Sequence, residues 1–176
     1  MIDFTKSVEA RQRQSSVSIE DTDYAIHTSF HYWVLFGRMI LKNHTYGDYD
    51  QFYKFTVPEN REAGLNALTA FFRNEQPLPH DLGEKTDIIG VDWKIDSEYI
   101  RAAFLEKYHI DLLISDLHWH DFLALFHALK DTAINDIMSA RFYTDKKSKK
   151  DLMKKLRAMW ELVKKTNKIT PKKREE

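Results

Sequence analysis

Cysteine is missing from this chain altogether, which removes thiol nucleophiles, disulfides and thiolate metal ligands in one step. Its absence also fits a reducing compartment. Glycine and proline number only 5 and 4 in 176 residues, too few for the tight turns of a β-sandwich or barrel. No apolar run approaches the roughly 18 residues that a membrane span needs. The best one, Tyr32 to Phe36, stops at Gly37-Arg38. The opening residues, Met1 to Lys6, carry neither a basic n-region nor an apolar h-region, so no secretory leader is expected there. Phosphate-binding glycine loops, the dinucleotide fingerprint, the Gly-x-Ser-x-Gly elbow and the His-Glu-x-x-His zinc motif are all absent. Neither an enzyme nor a cofactor is expected.

What the chain does have is apolar and aromatic mass. Hydrophobic residues make up 43% of it, and the aromatics comprise 4 Trp, 8 Tyr and 11 Phe. That is enough for one domain with a real core. The zero net charge hides a division. Residues 146–176 carry 13 Lys/Arg against 4 Asp/Glu, whereas the preceding residues carry 14 against 23. A basic arm on an acidic body points to an anionic partner or to an arm folded back on its own domain.

Periodicity is helical nearly throughout. Phe30, Trp33, Val34, Gly37, Ile40 and Leu41 recur at the spacing of one helix face, with Thr28 or Ser29 placed to cap it. A brief extended stretch at Tyr24–His27 precedes it. A short aromatic helix is predicted over Asp48–Phe55. Another begins at Pro58, a first-turn proline followed by Glu59 and Glu62, and carries Leu65, Leu68 and Phe72 to about Asn74. Residues 75–93, with Gln76-Pro77-Leu78-Pro79-His80, read as a long surface loop. Asp96 then caps a helix burying Ile100, Ala103, Phe104 and Tyr108. The next buries Trp119, Phe122, Leu123, Phe126 and Leu129, and Thr132 caps one with Ile134, Ile137 and Met138. Ser148 to Asp151 matches a capping box ahead of Leu152, Leu156, Met159, Trp160 and Val163. The expected architecture is mainly α: a single helical domain of about five to six helices over 21–145, a flexible leader over 1–20, and a basic C-terminal helix and tail over 146–176.

The segment Tyr108–Phe122 concentrates three imidazoles, three carboxylates and three aromatics. His118 and His120 lie about 200° apart on a helix, and His127 is some 10 Å from His120 along the axis, so these rings do not converge on one metal. A histidine that caps or hydrogen-bonds a helix start is the expected role. General acid–base work by His118 with Asp111 lacks an accompanying nucleophile. The aromatic stripe is read as core. Tyr46, Tyr49, Phe52 and Tyr53 are read either as an apolar docking patch or as local packing of a short helix. Lys146, Lys147, Lys149, Lys150, Lys154 and Trp160 mark the basic helix as a candidate partner contact. No recognised nucleic-acid module precedes those lysines, which argues against nucleic acid as the partner.

The pattern Asp96-x-x-x-Ile100-x-x-Ala103-Phe104-x-x-x-Tyr108-x-Ile110-Asp111-Leu112, then Leu117-His118-Trp119-x-x-Phe122-x-x-Leu125-x-x-x-Leu129, then Ile137-x-x-x-Arg141, resembles the bacteriophage Gp-fifteen family of siphophage and prophage tail-region proteins. The match spans about residues 88–142. His120 stands where the family often has a second aromatic. The resemblance implies a tail assembly chaperone of the bacterial host cytoplasm, with no membrane segment. Such a chaperone coats the tape measure protein and recruits subunits of the major tail protein, and self-association into a homo-oligomer is left open. The alternative is a small nucleic-acid-associated phage protein using its basic arm. The family motif residues Tyr108, Ile110, Asp111, Leu112, His118, Trp119, Phe122 and Arg141 are expected to be mainly structural.

Overall fold

Alternation of small polar and branched apolar residues in Ser16-Val17-Ser18-Ile19 produces a half-buried strand, β1 (Ser16–Ile19), with Val17 and Ile19 inward. It pairs antiparallel with β2 (Thr22–Ala25), in a register running from Ser16↔Ala25 to Ile19↔Thr22. The two-residue turn is Glu20-Asp21, with φ of 50° and 61°. Positive φ at both positions is what a type I′ hairpin demands, although glycine or asparagine usually supplies it. A loose leader through residue 20 therefore does not hold for residues 16–19. The computed structural model describes residues 13–40, 44–74 and 90–142. The remainder of the expected leader, most of the expected 75–93 loop and the expected basic helix lie outside them.

Extended chain continues past the hairpin. Ile26, fully buried, bridges Tyr53; the His27 amide donates to the Phe52 carbonyl, and Lys54 donates to that of Ala25. Helix α1 (Phe30–Met39) follows, burying Trp33, Phe36, Gly37 and Met39. The predicted stripe is rotated at its far end: Phe36 is fully buried and Ile40 lies at the exposed rim. Ser29 occupies the cap position, but its hydroxyl bonds the His31 ring rather than a backbone amide. The Phe30 amide instead donates to the Leu117 carbonyl.

Tyr46–Phe52 forms a 3-10 helix, not an α-helix, opened by a Thr45/Asp48 capping box. Helix α2 (Arg61–Phe72) starts from Asn60, whose side chain accepts from the Ala63 amide. Pro58 thus stands before the helix rather than in its first turn, and it is fully buried. It is wedged against Gly64: a Cβ there would lie 2.8 Å from Pro58 Cγ and 3.0 Å from the Tyr53 hydroxyl, which donates to the Gly64 carbonyl. Close approach is the reason for glycine at this position.

Helices α3 (Ser97–Tyr108), α4 (Trp119–Ala128) and α5 (Ala133–Phe142) complete the domain. The fold is mainly α. Packing runs from the hairpin through α2, α1, α4 and α3 to α5, each contacting the next. Asp96 sits at the start of α3, but its carboxylate does not cap that helix. It takes a two-pronged ion pair from Arg141 near the end of α5, at 2.6 and 2.8 Å, and a bond from the Asp92 amide. Arg141 also donates to the Gly90 carbonyl. Both charged side chains are almost fully buried, at 2% and 1% exposure.

Removing one member of such a pair leaves an uncompensated buried charge. Arg141→Met should cost about 3–5 kcal/mol in urea unfolding. The double variant Arg141→Met/Asp96→Leu should recover most of that loss. A double variant as unstable as the single one would show that the pair's worth is not electrostatic.

Candidate functional site

The family-like motif occupies one continuous path from the end of α3 to the start of α4. Helix α3 stops because His109 takes the left-handed conformation, φ 56°, and its amide returns to the Leu105 and Phe104 carbonyls. Asp111 then holds the turn. Its carboxylate receives Arg101 Nε and Nη2 at 2.7 and 2.8 Å, and also the Leu113 amide. The Arg101 hydrogen bonds hold its pKa down at about 2, with help from the Leu113 amide. Ile110 and Leu112 pack inward, whereas Leu113 and Ile114 project into solvent at 71% and 87% exposure. The Tyr108 hydroxyl donates to the Leu125 carbonyl.

The chain then enters a corner where three helix ends meet. Ser29 and His118 form a bridge; the Trp119 amide donates to Thr28, so α1 and α4 start from one shared ladder. His118 caps α4: its Nδ1 accepts from the His120 amide. That assigns the ring proton to Nε2, which donates to the Gln14 carbonyl at 2.9 Å. Arg13 pairs with Asp121 beside it, so residues 13–14 are strapped across the first turn of α4. On the other side, Trp119 Nε1 donates to the Phe72 carbonyl and His120 Nε2 to that of Phe71, both at 2.8 Å. These carbonyls belong to the last turn of α2, beyond its regular helical bonds, although that of Phe71 also receives the Asn74 amide.

Phe122 lies at the centre of a stack with Phe30, Phe104 and Trp119, at ring separations of 4.8, 5.2 and 5.7 Å. Trp119 stacks in turn on Phe72 at 5.2 Å. The aromatic stripe is therefore core. The His118 and His120 rings are 5.1 Å apart, yet each is committed to a backbone carbonyl. Among the described residues no three His, Asp or Glu side chains gather around a common point. Burial lowers the His120 pKa to about 4; the bond to Phe71 opposes the shift, and the nearby His118 and Arg13 add to it. The ring is thus a neutral donor.

The aromatic quartet is mostly local packing. Tyr49, Phe52 and Tyr53 are buried and only Tyr46 is exposed. Three residues per turn put Tyr46, Tyr49 and Phe52 on one edge of the 3-10 helix, and that edge faces α1. Tyr46 overhangs as the outermost member. Burial raises the phenol pKa values of Tyr49 and Tyr53. Lys146, Lys147, Lys149, Lys150, Lys154 and Trp160 lie outside the described residues. An open cleft of about 400 Å³ lies among Leu35, Arg38, Met39, His44, Asp48 and Gln51. Two of its polar side chains are engaged locally: Asp48 accepts from the Thr45 amide and hydroxyl, and Gln51 donates to the Asp48 carbonyl.

The sequence reading missed a feature of α3. Ile95, just before the helix, and Tyr99, Ala102 and Leu105 within it all face solvent, opposite the buried Ile100, Ala103 and Phe104.

The family model described as Bacteriophage Gp15 protein matches residues 11–164. The chain belongs to this bacteriophage family, and the match extends well beyond the motif from α3 to α5. No curated protein and no solved structure matches it. Among the described residues, no helix is long and apolar enough to cross a membrane.

Two outcomes follow from the corner. Trp119→Ala should cost roughly 3–5 kcal/mol, the range for a large aromatic lost from a core. Trp119→Phe should keep a stacked ring but lose the donor to Phe72 and leave a smaller void, costing about 1–3 kcal/mol. For His120 the folded value of about 4 lies below the ordinary 6.5. The unfolded chain therefore binds a proton between those pH values that the folded chain refuses. Its contribution is complete above pH 6.5 and declines as pH falls toward 4. Urea midpoints across that window should fall less steeply for His120→Gln than for the parent; equal slopes would contradict the assignment.

Proposed function

We propose that this chain is a phage tail assembly chaperone, a non-enzymatic protein that holds the tape measure protein and recruits major tail protein subunits in the host cytoplasm. The observation that supports this reading best is how the family motif is used. Tyr108, Asp111, His118, Trp119 and Arg141 each spend their polar atoms on internal carbonyls, amides or a partner side chain. A motif so committed maintains a scaffold, and recognition falls to the surface the scaffold displays. The family itself is a bacteriophage one, and the tail role is what the motif's resemblance implies.

A second reading, binding of phage nucleic acid, rests on the net +9 of residues 146–176. Salt separates the two, because contacts to phosphates weaken steeply as ionic strength rises.

Co-expression with the tape measure protein encoded by the same phage should move that protein from the pellet to the soluble fraction and yield a complex. The complex should survive a salt wash that strips nucleic acid. If the tape measure protein stays insoluble while the purified chain retains DNA or RNA in a salt-sensitive manner, the nucleic-acid reading replaces the chaperone one.

A further inference from the structure

We propose that this chain self-associates through a knob-in-pocket contact, in which the Leu113–Ile114 tip of one copy enters the apolar pocket between the end of α4 and the start of α5 of a second copy. The pocket measures about 140 Å³ and is walled by Phe126, Leu129, Ile134 and Met138, with His127 and Asn135 completing its lining. Asn135 is spent inside the chain, since its amide oxygen accepts from the Thr132 hydroxyl and its nitrogen donates to the Leu129 carbonyl. The pocket therefore offers little to anchor a polar ligand. A cavity of about 150 Å³ walled by such side chains takes up a benzene-sized apolar group. One branched aliphatic side chain is the occupant that fits by size and by polarity.

Such a side chain stands on the same molecule. Among the described residues Ile114 is the most exposed large apolar one, and Leu113 beside it is open as well. The tip they form is held in shape. The Asp111 carboxylate takes the Leu113 amide and Arg101, and the Asp111 carbonyl takes the amides of Ile114 and Ser115. A tip already fixed in its bound shape loses little freedom on docking. Its exposure shows that it does not fill the pocket of its own chain, so a second copy supplies it. The charges beside the two halves are complementary. Asp116, two residues past Ile114, is an exposed carboxylate, and His127 is an exposed imidazole at the pocket. Neither has a hydrogen-bond or ion-pair partner among the described residues. Lys130 and Asp131, both exposed next to the pocket, offset one another. With Ile114 seated and Leu113 on the rim, Asp116 of one copy faces His127 of the other. Each copy carries both halves, so the contact is returned in a closed dimer or passed on along a chain. This inference does not depend on the chaperone reading.

Sedimentation velocity of the full-length chain should show a mass that rises above the monomer with concentration. Ile114→Asp should remain monomeric over the same range, with the circular dichroism and melting temperature of the parent, because the side chain it replaces supports nothing in the fold. The absence of native cysteine allows the contact itself to be located. Single variants Ser115→Cys and His127→Cys, which leave the tip and the apolar walls intact, are mixed and treated with a short bifunctional maleimide. A dimer crosslinked between positions 115 and 127, identified by peptide mapping, should form in several-fold higher yield than from Phe55→Cys mixed with His127→Cys; Phe55 is exposed and lies outside both halves. A parent that sediments as a monomer at every concentration would overturn the proposal. It would be overturned likewise if Ile114→Asp associates as the parent does, or if the 115–127 yield does not exceed the control. A monomeric parent whose Ile114→Asp variant loses the tape measure protein would give the tip to that partner instead of a second copy.

Discussion

The last two carbonyls of α2 set the terms on which this domain packs. A helix end leaves its final carbonyls short of helical donors; that of Phe71 takes the Asn74 amide as well, and both lie among aromatic rings. The donors come from the first two residues of α4, Trp119 and His120. Meeting that demand fixes α4 against α2 in position and in rotation, since an indole N–H and an imidazole N–H must both reach their targets. His118, one residue earlier, is then left to close the start of α4 and to hold the chain at Gln14. Three consecutive side chains thus join α2, α4 and the N-terminal strand, and the Ser29–His118 bridge brings α1 to the same point.

Electrostatics repeats this logic at two other junctions. Arg101–Asp111 braces the turn after α3, and Asp96–Arg141 locks α3 to α5. The first is partly exposed and shapes a loop. The second is buried and receives further bonds from backbone, so its desolvation is met by a filled set of partners rather than by one contact. The charged residues of the family pattern are accordingly the fasteners of the scaffold. That distribution is what one expects of a protein whose recognition is carried by shape and apolar surface.

The helices were largely legible in the sequence because one face of each is apolar and the other is not. Ile100, Ala103 and Phe104 fall on the buried side of α3 as periodicity requires, and Trp119, Phe122 and Phe126 do so on α4. The histidine cap was legible too, from its place ahead of an apolar run. The hairpin was not, because Glu20-Asp21 lacks the glycine that ordinarily announces a type I′ turn. Asp96 looked like a cap because its partner, Arg141, lies 45 residues away in the chain. The aromatic quartet was ambiguous because three-residue spacing does not say which way a 3-10 helix faces.

The corner at His118 also constrains how the chain acquires its structure. Its bonds join residues 47 and 104 positions apart in sequence, from Phe72 to Trp119 and from Gln14 to His118. Closing such long loops is entropically slow compared with forming any single helix. During synthesis, α1, α2 and the hairpin emerge well before the residues that complete them. Until residues 119–122 leave the ribosome, the faces of Phe30, Phe71 and Phe72 that Phe122, His120 and Trp119 cover stay open, and the nascent chain is most exposed to aggregation at that stage.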